Sequence, residues 1–508
     1  MKITLLRFPT AIPAGQFNVS SVAPPLSLAY LAAYLARHGF PATVIDSLGE
    51  APENIGTLRN GKDLKYRGLA IDEIIARIPP GTEVLGVSCM FSSEWPFDRE
   101  VLKAVKAAFP GARVVAGGEH VSALPELVLA QAPEVEIAVI GEGEETFREL
   151  VAAISKGSGS EGISGLCFRK NGGFFRTGPR ARITALDELP FPAWDAVPID
   201  NYFKARLSHG PYLGKTLPIL TSRGCPYACK FCSNADMWGA RYAQRTPANV
   251  VKEIELAIEK YDIKCVDFYD PSPIIGKQWL RDFCGLLLAG KVKISWQLAV
   301  GTRFEALDDE LIALAARAGC RYLGFAPESG SSEVLAEVNK KLDRGKFFEV
   351  IKSARKHRIG VKTNLIIGFP EETRAQIFKT LLFQLRLAFT GVADAPVFRF
   401  SPYPGSAYFR DLLRQRTIPE LNDEYFNSLG LNLFLKNKNR YCRNAGPLEL
   451  AVYQVSGTVL FYALHYLLRP LELLRAVLYW NSSSSVFEQR LKQNLKALLR
   501  GEPKRNHY

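Results

Sequence analysis

Apolar residues over the first part of the chain recur in two rhythms. Short strand-like runs, Lys2–Leu6, Ala42–Asp46, Val84–Ser88, Arg113–Ala116 and Ile137–Ile140, alternate with helical spacing. The helical pattern is clearest at Leu26–Ala36 and stops at Gly39, a residue suited to a helix C-terminus. Strands alternating with helices predict a parallel sheet wrapped on both faces. Ligands of such sheets sit off the carboxyl ends of the strands, where Cys89–Ser93, Gly117–His120 and Gly141–Thr146 gather. Glycines and serines at Lys156–Gly165 break the rhythm, and Leu189–Trp194 supplies a proline-stiffened connector. A second strand–helix series begins near Leu217. Its strands are predicted at Leu217–Thr221, Cys265–Tyr269, Ser295–Ala299, Tyr322–Ala326, Val361–Ile367 and Ala395–Phe400, and six such units predict an incomplete parallel barrel. From about Asp411 the pattern becomes helical. The expected organisation is an α/β, Rossmann-like doubly wound domain over 1–155, a linker over 156–210, a partial (β/α)6 barrel over 211–410 and a helical region over 411–508.

A length of 508 residues agrees with two or three domains, and 47% hydrophobic with 23% charged residues describes a folded chain. Nine cysteines lack the density of a secreted disulfide framework, and no signal sequence opens the chain. A reducing cytoplasm is therefore expected, where clustered thiols serve as metal ligands. The net charge of +13 suits an anionic membrane face or an acidic protein partner. The basic residues are scattered, and neither a helix-turn-helix signature nor an RNA-binding aromatic box is present, so no nucleic-acid partner is expected. No uninterrupted run of 18 apolar residues occurs, so no spanning helix is expected. Val455–Leu468 and Leu471–Trp480 are still largely apolar, broken at Arg469-Pro470. A basic tail with Arg490, Lys492, Lys496, Arg500, Lys504 and Arg505 follows. Two readings stay open for this region: helices that close the open side of the barrel, or helices in a membrane interface that serve a lipophilic substrate.

The densest chemistry lies in Arg223–Cys232, directly after the first strand of the second series, where Cys225, Cys229 and Cys232 form a C-x3-C-x2-C triplet. Three thiolates on one tight loop can hold three irons of a cubane and leave the fourth iron for an exogenous ligand. A zinc site would ask for a fourth Cys or His nearby, and none follows. Cys89, Cys167, Cys265, Cys284, Cys320 and Cys442 are dispersed and read mostly as small buried hydrophobes, so no second cluster is expected.

This loop resembles the cluster motif of the radical S-adenosylmethionine (SAM) superfamily. The resemblance implies a 4Fe–4S cluster on Cys225, Cys229 and Cys232. It implies SAM contacts from Phe231, from Tyr269 and Asp270 after the second strand, from Glu328 and Ser329 after the fourth, and from Ile367 and Gly368 after the fifth. The N-terminal part is similar to the cobalamin-binding domain of the cobalamin-dependent radical SAM subfamily, through Pro24–Leu31, Gly117–His120, Ala123–Glu126, Ile140–Thr146 and the Leu189–Trp194 linker. That implies cobalamin beside Cys89, Ser92, Gly117, Gly118, Glu119, His120, Gly141, Glu142 and Gly143. No D-x-H-x-x-G stretch is present, so no histidine is expected beneath cobalt, and His120 reads as a turn residue. The implied activity is methyl transfer to an unactivated carbon of a small-molecule substrate through a 5′-deoxyadenosyl radical, with a flavodoxin or ferredoxin as electron donor. Oxidative cyclisation without methyl transfer stays open, as does, from another class, a non-catalytic corrinoid-binding regulator. The intact cysteine triplet argues against the regulator.

Overall fold

The computed structural model describes residues 1–13, 23–57, 64–430 and 440–478. The N-terminal domain is built on a seven-stranded sheet in the order Gly173–Arg176, Leu166–Lys170, Ile137–Val139, Arg113–Gly117, Val84–Ser88, Ile3–Arg7 and Ala42–Asp46. The last five strands run parallel, and the first two form an antiparallel hairpin on one edge. Part of the stretch expected as linker is therefore sheet, because Leu166 and Cys167 are fully buried against the domain. Alternate residues along each strand enter opposite cores. Leu5, Val84 and Val115 pack under Leu26–Arg37 and Gly143–Ser155, whereas Leu6, Leu85 and Val114 pack under Trp95–Ala108 and Pro125–Gln131. A small sheet of Thr10–Pro13, Ile55–Thr57 and Leu64–Arg67 is not signalled by the apolar pattern.

The second domain holds six parallel strands in chain order: Thr216–Ile219, Cys265–Phe268, Ser295–Thr302, Cys320–Glu328, Gly360–Ile367 and Val397–Arg399. The sheet stays open between the first and last, as a partial barrel does. Four outer helices begin on Thr246, Asp308, Asp343 and Thr373, whose side chains each accept the backbone N–H three residues on. Val266, Phe268, Trp296, Leu298, Leu323 and Phe325 face these helices in one continuous core. The alternate set faces the barrel axis: Asp267 meets Gln297 at 3.4 Å and feels the charge of Lys362, three strands away.

The C-terminal region ties the molecule together. Ala407–Arg414 and Asp423–Leu429 insert Tyr408, Phe409, Tyr425 and Phe426 into the core that also holds Trp95 and Phe97 of the N-terminal domain. Pro447–Leu468 lies beside Arg374–Thr390 and runs in the same direction. Arg374 Nε donates to Glu449 Oε1 at 2.6 Å near one end, and Arg469 Nη1 donates to the Ala388 carbonyl at 2.7 Å at the other. Gln454 Nε2 donates to the Val397 carbonyl at 2.7 Å, so this helix covers the sixth strand as the missing outer helix would. By length and composition it is able to cross a membrane, with a mean hydropathy of 1.2 over its most apolar window. No uninterrupted apolar run marks it in the sequence, because Gln454, Ser456 and Thr458 break the run. Tyr479, Trp480 and the basic tail lie outside the described residues.

At Gly457 the two parallel helices are in close contact. A Cβ there would meet Gln384 Oε1 at 2.6 Å and Leu381 Cδ2 at 2.9 Å. Gly457→Val should destabilise the chain by about 2 kcal/mol through overpacking. A denaturation midpoint equal to that of wild type would show that this seam is not tight.

Candidate active site between the two sheets

The cysteine loop is a closed excursion from the first barrel strand. Ser222–Arg223 pairs antiparallel with Ala243–Gln244, so both ends of the loop are held by one ribbon. Gly224 has φ +86 and faces the Arg241 carbonyl, which an added Cβ would approach to 2.2 Å; only glycine fits. The outer edge is pinned by Lys230 N–H to the Val338 carbonyl, Asn339 Nδ2 to the Ala228 carbonyl and Tyr408 N–H to the Lys230 carbonyl. Cys225 and Cys229 are partly buried and Cys232 is exposed. Burial pushes the thiol of the partly buried Cys229 up. Among the described residues no three Cys, His, Asp or Glu are grouped to hold a single metal ion. Three thiols on one loop suit a cubane, in which each thiolate binds its own iron.

Residues expected at SAM come from four strand ends. Phe231, on the cysteine loop, lies 5.8 Å from Phe369, ring to ring, which brings that loop against the Ile367–Gly368 turn. Ile367 itself is wholly buried. Glu372 Oε2 accepts the N–H groups of Gly368 and Phe369 at 2.6 and 3.1 Å, and burial lifts its carboxyl to about 7. Asp270 Oδ1 accepts from Thr221 N and Oγ1 and from Ser222 Oγ, while its Oδ2 is buried without a partner. Burial raises this carboxyl to about 6. Tyr269, beside it, packs edge-on against His209. Glu328 turns at φ +64 and pairs with Lys340 at 2.8 Å. The Ser329 hydroxyl is engaged by Thr380 and the Ser331 N–H, away from the cysteine loop.

The residues expected at cobalamin divide. Gly118, at φ +120, has the Cys89 carbonyl 2.4 Å from where a Cβ would stand. Cys89 is fully buried, its thiol raised by burial and by Asp98, so its side chain belongs to the core. His120 lies in the short helix Glu119–Ala123, not in a turn. It is 1% exposed, bonded through Nδ1 to Ser92 Oγ at 2.9 Å, and flanked by Trp95 and Phe426. Burial lowers its pKa to about 3, so the ring is neutral. Glu119 accepts a hydrogen bond from Ser233, the residue after Cys232. Glu142 is taken up by protein: Arg223 Nη1 donates to Oε1 at 2.9 Å, and Arg182 Nε and Ile183 N–H reach Oε2 at 2.7 and 2.9 Å. Gly117 meets nothing closer than Val139 Cβ at 3.8 Å, and Gly141 and Gly143 face open space. A cleft of about 370 Å³ adjoins Gly141, lined also by Arg180, Arg182, Met237 and Trp238. Nη1 and Nη2 of Arg182 are buried without a partner, a donor pair suited to an anionic group such as a corrinoid's phosphodiester.

Arg223 is the residue that reading by motif missed. It stands two positions before Cys225, is 4% exposed, and sends Nη2 to Glu144 Oε1 at 2.5 Å besides its bond to Glu142. Burial alone would lower its pKa, but Glu144 and Glu142 outweigh that and raise it. The signal in the sequence was an arginine at an apolar strand exit, together with two glutamates spaced i, i+2 on another.

The Radical SAM superfamily matches residues 219–383, and the B12 binding domain matches residues 16–151. An uncharacterized methyltransferase of Pyrococcus horikoshii, PH0819, is 30% identical over 437 residues, covering 86% of this chain and 88% of that protein. The cytidylyl-2-hydroxyethylphosphonate methyltransferase of Streptomyces wedmorensis is 27% identical over 77% of this chain and 78% of its own. The solved structure of TsrM from Kitasatospora setae, a radical SAM methyltransferase with cobalamin and a 4Fe–4S cluster bound, shares the fold. Its TM-score is 0.64 at 18% identity, covering 91% of this chain and 89% of that one. The chain belongs to the cobalamin-dependent radical SAM family. Its cofactors are a 4Fe–4S cluster, SAM and cobalamin.

Two measurements probe the site. Arg223→Gln leaves Glu142 and Glu144 buried without their shared cation, which should cost about 3–5 kcal/mol in denaturant unfolding. A loss below about 0.5 kcal/mol would remove Arg223 from its bridging place. Glu372 binds its proton more tightly when folded, so its stabilisation is full below the unfolded pKa and fades as pH rises through about 7. The stability of Glu372→Gln relative to wild type should therefore increase from pH 5 to pH 7.5. A difference that stays flat across that range would contradict the assignment.

Proposed function

We propose that this protein transfers a methyl group to an unactivated carbon of a small-molecule substrate. The observation that carries the reading is the bonding of the cysteine loop to the glycine-rich strand exits of the other sheet, at Arg223 with Glu142 and Glu144 and at Ser233 with Glu119. In this reading Cys225, Cys229 and Cys232 hold the cluster. Phe231, Tyr269, Asp270, Glu328, Ser329, Ile367 and Gly368 surround SAM, Ser329 and Ile367 through backbone atoms. Gly117, Gly118, Glu119, Gly141 and Gly143 border cobalamin, with Arg182 at its phosphodiester, Glu142 acting through Arg182, and Cys89, Ser92 and His120 as the floor beneath. The bound groups supply a 5′-deoxyadenosyl radical from SAM and a methyl group carried on cobalt. The protein's work is positioning and exclusion of water. Phe231 and Phe369 form an apolar wall beside the cysteine loop. Gly141 lets backbone approach a large flat ligand, and the Asp270 bonds hold the exit of the first strand still. The relatives named as methyltransferases support methyl transfer over ring closure.

The electron donor fits the same reading as an acidic flavodoxin or ferredoxin. The chain is basic, and Cys232 is the exposed corner of the loop through which an electron would enter.

Anaerobic reconstitution should give about four irons per chain, and reduction with SAM should release 5′-deoxyadenosine. The triple change Cys225→Ala, Cys229→Ala and Cys232→Ala should abolish both. Product mass should rise by one methylene on substrate turnover. Iron near four in the triple variant would defeat the cluster assignment, and a product that only loses hydrogens would defeat methyl transfer.

A further inference from the structure

The outer surface of the parallel helices Arg374–Thr390 and Pro447–Leu468 is apolar where water would be expected to meet charge. Every exposed residue of Pro447–Leu468 is apolar, from Leu448 at 70% through Val459 at 60% to Leu467 at 78%. The neighbouring helix extends the face with Phe378, Leu382 and Phe389, and Leu471 and Leu474 continue it. These helices are bound to each other along their length, with Phe378 packed edge-on against Tyr453, so their outward sides form one surface. The inward side is fastened: Gln454 bonds the last strand, Tyr462 donates to Asp394 at 2.9 Å, and Phe461 is wholly buried. The helix therefore neither turns its apolar side inward nor leaves the barrel to span a bilayer. A contiguous apolar surface of this kind marks an interaction site.

Charge selects the occupant. Arg386 is exposed on the same helix as Phe378 and Leu382, while Lys379 there pairs with Glu333 at 2.8 Å. Beyond the described helix the sequence continues with Tyr479 and Trp480, and residues 481–508 then hold six basic and two acidic residues. Residues 431–439, just before Pro447–Leu468, add Lys436 and Lys438 among leucines. A second copy of a chain at +13 would be repelled, whereas anionic headgroups would be attracted. Apolar helix faces whose neighbouring sequence is aromatic and basic suit the headgroup–acyl boundary. We propose that this face docks the enzyme on an anionic membrane surface, with both helices parallel to the bilayer plane.

The test is flotation of the full-length protein with phosphatidylcholine vesicles, with and without phosphatidylglycerol. Wild type should float with the anionic vesicles and lose flotation with phosphatidylcholine alone or at high salt. Val452→Glu with Val459→Glu, both on the exposed side, should abolish flotation while circular dichroism and SAM cleavage stay unchanged. Wild type that stays at the bottom, or a double variant that still floats, overturns the proposal. Equal flotation with uncharged vesicles overturns it too. So does a dimer in solution that the same two changes dissociate while no vesicles are bound.

Discussion

The arrangement of this enzyme depends on one buried cation. Arg223 leaves the first barrel strand, and its guanidinium is closed between Glu142 and Glu144, at the start of the helix Gly143–Ser155 and 81 and 79 residues earlier in the sequence. Tyr30 and Trp238 stand beside it at 5.6 Å. Charges so far from water are stable only while all partners are present, so the bridge is all or nothing. Because Cys225 follows two residues later, whatever sets Arg223 also sets the start of the cysteine loop. The ends of the two sheets are thus held in one geometry, which a reaction between two bulky cofactors requires.

The remaining contacts support that junction from behind. The cysteine loop is buttressed on its outer side by Val338, Asn339 and Tyr408, which come from a barrel helix end and from the C-terminal region. The same C-terminal stretch sends Phe426 against His120, so the floor of the N-terminal sheet is completed by residues more than 300 positions away in number. Histidine there is a packed neutral ring. Pro447–Leu468 then stands in for the sixth outer helix. One side of it is core and the other is left apolar, an asymmetry that a soluble barrel alone does not require.

Much of this was legible along the chain. Strand–helix alternation gave both sheets and nearly all of their strands, because periodicities of two and 3.6 are local properties. Spacing alone marked Cys225, Cys229 and Cys232, since three ligands to one cluster on one loop must be close in sequence. The resemblance put Phe231 and the Ile367–Gly368 turn at the same ligand, and the structure packs Phe231 against Phe369, at loops gathered on one end of the parallel barrel. The hairpin Leu166–Arg176 escaped notice because its outer strand is exposed on both faces and shows no apolar alternation.

What the sequence by itself determined was most of the elements, the candidate cluster cysteines and, through the resemblance they carry, the kind of cofactors. Tertiary structure alone decided the use of each polar side chain between them. Glu142 reads as a cofactor residue by motif and is bound to Arg223 and Arg182; Cys89 and His120 read as strand-end residues and lie in the core. The reason is desolvation. A charge or ring taken from water keeps whatever partner the packing brings to it, and that partner is chosen by contacts between residues far apart in the chain, which no local pattern records.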